Sequence, residues 1–311
     1  MSIRGTAWGL CRLTAGWHSL AFVPPFSVTA LFSEVRLDSW LAVVLLLVGG
    51  LYLYGVHRLR TRGDKWPVSR TLTFVGLGLG TIAFMTLSGL GAYDTTLLSV
   101  HMVQHMGLSM VAPIFLALGA PVTLALRALD KRPRRVLVKI LHSRVAKVLA
   151  NPLFSFGIFV LNPFALYFSG LYELSLRNEL VHEWVHAHFL VTGCLFFWPL
   201  VGRDPLPGRW PYPARALLMI LSVPFHTVLG LTIMQSKTLL GGDWYPSLGL
   251  NWIDPKADQV TAGGVLWAGG ELVSVVMLAV LVAQWVKHAR LEAARIDREL
   301  DREEERLRSA A

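Results

Sequence analysis

The sequence predicts an all-α, polytopic membrane helix bundle of about seven transmembrane helices. Three observations lead there. Of 311 residues, 54% are apolar and only 16% charged, and the mean hydropathy of +0.51 is that of a chain spending most of its length in lipid. Apolar stretches near the ~20 residues needed to cross a bilayer recur along the chain. Basic residues gather in alternate connections, the pattern that orientation in a membrane imposes.

Taken in order, residues 1–37 form an external lead-in. Arg4 and Arg12 precede a weakly apolar stretch that Pro24 and Pro25 break, so no secretory signal is expected. The spans predicted are 40–57, 71–92, 97–118, 153–172, 180–201, 215–236 and 261–286, which sets a membrane domain at 38–286. The fifth is the most interrupted, because its first turns hold His182, Glu183, His186 and His188; six or eight spans are the alternatives. Arg58, Arg60, Arg62, Lys65 and Arg70 lie between spans one and two, and Arg127, Lys131, Arg132, Arg134, Arg135, Lys139, Arg144 and Lys147 between three and four. Arg203, Arg209 and Arg215 follow span five, whereas the other connections hold only Arg177, Lys237 and Lys256. The positive-inside rule then puts the N-terminus outside and the C-terminus in the cytoplasm.

The net charge of +9 is therefore a topology signal, with affinity for anionic lipid headgroups and none expected for nucleic acid. Segment 120–150 mixes apolar residues with bases around Pro133 and is expected to lie along the inner leaflet. Residues 203–213, RDPLPGRWPYP, make a proline-rich turn. Segment 237–260 brings Trp244, Tyr245 and Trp252 to the outer interface. Residues 287–311 form a charged helical tail with Ala293, Ile296, Leu300 and Leu307 at heptad-like spacing, a seam that Glu303 interrupts.

Histidine pairs carry the chemistry. His101 and His105 in HMVQHM, and His182 and His186 in HEWVH, are each spaced i, i+4, which on a helix puts both rings on one face. Ionisable side chains are costly inside a bilayer. With the N-terminus outside, both pairs fall within ~12 Å of the outer surface at a rise of about 1.5 Å per residue. Interfacial histidines hydrogen-bonded to water are the plain alternative; two pairs at matching depth favour a ligand role. Met102 and Met106 each follow a histidine, and imidazole with thioether favours copper, although methionine also packs well in apolar spans. His226 and Glu271 lie near mid-membrane, where they either steer a ligating imidazole from behind or link two helices. Two cysteines, Cys11 and Cys194, in no CxxC argue against thiolate metal capture. A bis-histidine haem site would use some of the same residues, and a copper permease is a further alternative. Metal uptake through imidazoles should weaken below about pH 6.5.

Several ordered motifs resemble one known family. HMVQHM (101–106), the AP and GAP turns at 112–113 and 119–121, NP at 151–152, HEWVHAHF (182–189), FFWPLVGRDPLP (196–207), PFH (224–226) and DQVTAGGVLWAGGE (258–271) are similar to those of the multi-span CtaG-like cytochrome c oxidase assembly factors of bacteria. The resemblance runs from about Pro24 to about Trp285. It implies a non-enzymatic, multi-pass protein of the bacterial plasma membrane that works with cytochrome c oxidase subunits and handles copper at the outer face. The residues it carries over are His101, Met102, His105 and Met106, with His182, His186, His226 and Glu271.

Overall fold

A computed structural model of the chain describes residues 23–36, 39–206 and 209–310. Cys11 and most of the lead-in lie outside these. Among the described residues every regular element is helical. The long ones are α1 (Ser39–Thr61), α2 (Val68–Tyr93), α3 (Leu98–Ala128), α4 (Pro152–Tyr167), α5 (Leu171–Arg177), α6 (Glu179–Val201), α7 (Tyr212–Gln235) and α8 (Pro255–Ala310). Short helices fill the connections, among them Lys131–Leu141 and Arg144–Leu149.

Six of these helices are individually long and apolar enough to cross a membrane: α1, α2, α3, α6, α7 and α8. The pair α4 and α5, bent by 67°, makes a seventh when counted as one broken span. The sequence predicted an unbroken fourth span, which the structure breaks, and a fifth with histidines in its first turns, which the structure forms as one continuous helix. Phe168, Ser169 and Gly170 separate α4 from α5, and the Ser169 hydroxyl accepts the Leu171 N–H at 3.2 Å, starting a new helix in a new direction. In α6, by contrast, His182 and His186 are buried inside the bundle, so its polar residues cost the span nothing at the lipid.

The outside of the bundle is apolar. Leu46, Leu51, Leu180 and Leu272 are 75%, 71%, 82% and 66% exposed. Such a surface is unsuited to water and suited to acyl chains, and the chain is a multi-pass membrane protein. Alternating helix direction sorts the connections into two ends. The basic end is tied by Asp130, which accepts from Arg58 at 2.6 Å and Arg62 at 3.1 Å, bonds that hold its carboxyl below the usual range. The other end gathers residues 23–36, 94–97, 168–178 and 236–254 and is called the histidine end below.

α3 and α6 form the buried centre, and they approach closely. A Cβ on Gly193 of α6 would collide with the Ser109 carbonyl of α3 and come within 2.7 Å of Pro113 Cγ. Ser109 belongs to a π-helical stretch, Gly107–Val111, whose wider turn begins two residues after His105. α8 runs 56 residues without a break, well past the apolar segment, so the charged tail is its continuation.

Candidate metal centre

Both histidine-bearing helices begin with a side-chain cap less than two turns before their first histidine. The first N–H groups of a helix lack intrahelical partners. In α6, Asn178 Oδ1 accepts from Leu180 N at 3.0 Å and Val181 N at 3.2 Å, a common solution worth about 1 kcal/mol. In α3 the cap is supplied from a distance: Asp258 of α8 accepts from Leu98 N at 2.7 Å and Ser99 N at 3.3 Å. α3 and α8 are thereby fixed together at the histidine end.

There Asp94, in the connection between α2 and α3, meets the α6 pair. Its Oδ2 lies 3.0 Å from His182 Nε2 and 3.7 Å from His186 Nε2. One ligand atom from each of the three residues falls within 4.8 Å of the other two. Asp94 and His182 are 1% exposed and His186 6%. A carboxylate accepts, so His182 Nε2 donates to Asp94; its Nδ1 and the Nε2 of His186 are buried without a hydrogen-bond partner. Orphaned buried nitrogens of this kind call for an explanation, and a bound cation is one. Burial works to raise the Asp94 carboxyl, but His182, His186 and Arg36 outweigh it and hold the group below the usual carboxylate range.

The α3 pair is arranged differently. His101 Nε2 is 3.1 Å and His105 Nδ1 2.7 Å from the hydroxyl of Tyr167, at the end of α4. One hydroxyl donates to one imidazole and accepts from the other. Phe189 stacks on His105 with ring centres 3.9 Å apart. His101 is the link to the α6 pair: its ring centre is 6.2 Å from that of His182, and its Nδ1 has no partner. Tyr172 lies beside it at 5.1 Å and pairs hydroxyl to hydroxyl with Tyr245 at 2.6 Å.

The remaining candidates are placed deeper or apart. Met102 is fully buried in the core, and Met106 packs toward Gly269 of α8. His226 Nδ1 donates to the Ser222 carbonyl, 3.3 Å away within its own helix. Glu271 accepts from Thr227 Oγ1 at 2.9 Å and Trp267 Nε1 at 2.6 Å, tying α7 to α8 rather than pairing with His226. His188 bonds Asn162 at 2.8 Å, off the cluster. Cys194 packs half-buried against the core.

Sequence reasoning missed Asp94, Arg36 and Tyr167. Asp94 had a signal: it is the one charged residue in the short connection before His101, seven residues ahead of it, so a helical continuation would carry it onto the same face. Arg36 and Tyr167 had none, because only folding brings positions so distant in the chain to the histidines.

Fold and site together define a multi-pass helical membrane protein with a buried carboxylate–imidazole cluster at one end. Residues 50–288 match the family described as cytochrome c oxidase caa3 assembly factor, and the chain belongs to that family. It is also similar to uncharacterized proteins of Mycobacterium bovis and Mycobacterium tuberculosis, each 39% identical over 287 residues, covering 89% of this chain and 43% of the relative. An uncharacterized protein of Mycobacterium leprae is 35% identical over 285 residues, with the same coverage. The chain thus spans less than half the length of these curated relatives. No solved structure matches it.

Proposed function

We propose that this protein is a non-catalytic assembly factor for a haem-copper cytochrome c oxidase, holding copper as cargo at the outer face of the plasma membrane and passing it to oxidase subunits. The assembly role rests on family membership. The copper role rests on one observation: Asp94, His182 and His186 converge within 4.8 Å, buried, with imidazole nitrogens left unpartnered.

The donor set narrows the ion. Two imidazoles and a carboxylate suit a borderline divalent ion such as copper(II) better than the soft copper(I) that thioethers would favour. Three protein ligands leave coordination positions open, and an ion held that way can be taken over by an acceptor's ligands without first being released. His101 is the nearest further imidazole.

The test is metal analysis with an absorption spectrum on detergent-purified protein, wild type beside His182→Ala/His186→Ala and Asp94→Asn. The expected result is near-stoichiometric copper(II) in the wild type, lost in the variants, with no Soret band. A Soret band would instead place the protein among haem carriers. Copper retained by the variants would remove these residues from the site. Vesicle uptake of copper that the same variants abolish would turn the reading toward a permease.

A further inference from the structure

Arg36 closes the cluster from outside the bundle. Its guanidinium lies 3.8 Å from Asp94 Oδ2, 2.8 Å from Glu183 Oε1 and 3.4 Å from Glu179 Oε1, and it also donates to the Gly91 carbonyl. The arginine belongs to no membrane helix. It comes from the lead-in, which is laid across the histidine end by its own backbone: Arg36 N donates to Leu87 O at 3.1 Å, Tyr93 OH to Pro24 O at 3.1 Å, and Trp252 Nε1 to Val23 O at 3.0 Å. The fit is tight. A Cβ on Gly89 would come within 2.8 Å of the Ala30 carbonyl carbon and 2.9 Å of Leu31 Cα.

Charge explains why a cation is kept there. Asp94 is buried and Glu183 only 15% exposed, so two carboxylates stand close together with little water to screen them. A guanidinium supplies the compensating positive charge, with donors spread to reach several oxygens. A divalent ion on Asp94, His182 and His186 would supply the same compensation with twice the charge, and it would repel a guanidinium 3.8 Å from its carboxylate ligand.

We propose that Arg36 is the site's resident cation: it holds the place of a divalent ion against Asp94 and Glu183, and an ion enters by displacing it. The displaced guanidinium has a landing place in Glu179, which is 59% exposed at the rim. The lead-in thereby sets both the affinity of the site and the class of ion it admits, since a monovalent ion brings no more charge than the arginine it would replace. This rests on the metal-site reading above.

The test is titration of the detergent-purified full chain with copper(II) alone and zinc(II) alone, with stopped-flow uptake, on wild type, Arg36→Gln, Arg36→Lys and Gly89→Ala. Arg36→Gln should bind about tenfold tighter or more and load faster, because a like charge no longer opposes the ion. Arg36→Lys should return toward wild type. Gly89→Ala should behave like Arg36→Gln, since it lifts the lead-in without touching a charged group. If the wild type binds but neither Arg36→Gln nor Gly89→Ala binds tighter, the resident-cation role is overturned while the metal site stands. If no form binds either ion, both fall. Should Arg36→Gln fail to fold, the Lys and Gly89 variants decide.

Discussion

Tyr167 shows how much one hydroxyl can organise. It bonds His101 and His105 at once, so each ring of the α3 pair is held by protein, although His101 Nδ1, like His182 Nδ1 and His186 Nε2, has no partner. Tyr167→Phe would strip both imidazoles of that partner inside a bilayer, where no water replaces it. The expected loss is about 1–3 kcal/mol, read as a lower thermal midpoint. Metal binding by Asp94, His182 and His186 should persist in the variant. Its disappearance would enrol His101 or His105 among the ligands. At this scale the sequence was half legible. Spacing i, i+4 exposes a shared helix face in any chain, which is why the pairs stood out. It carries no information on what lies opposite that face, and the partners turned out to be Asp94 for one pair and Tyr167 for the other.

At the scale of elements, the two histidine helices keep their alignment because Gly193 lets α6 rest on the backbone of α3. Gly193→Val would force them apart and should lower stability by at least the ~1–3 kcal/mol typical of overpacking, while also weakening copper(II) binding measured by titration. Unchanged binding in a destabilised variant would show that Asp94 and α6 hold the site without α3. The spans themselves were legible because twenty apolar residues have few other uses. The bend at 168–170 was not: Ser169 and Gly170 permit a break without dictating one, and the choice between a straight span and α4 plus α5 is made by packing against α6 and the connection around Tyr245.

For the whole molecule, the alternation of basic connections predicts which end faces out, and the proposed function depends on it. In a background lacking Cys11 and Cys194, Lys237→Cys should react with a membrane-impermeant maleimide in intact cells, whereas Arg144→Cys should react only after permeabilisation. The opposite pattern would turn the cluster toward the cytoplasm and remove delivery at the outer face. The asymmetry of charge between the two ends was readable from composition along the chain; the convergence of Arg36 and the α6 histidines on Asp94 was not, since it exists only in the assembled bundle.

α8 makes one lever of the two ends. At about 1.5 Å per residue, its 56 residues form a rod of about 84 Å. Near one tip Asp258 grips the first turn of the helix that bears His101; the other tip stands clear of the bundle, studded with acids and bases. The helix is continuous between the two, so a tilt of the free arm would carry the gripped turn with it.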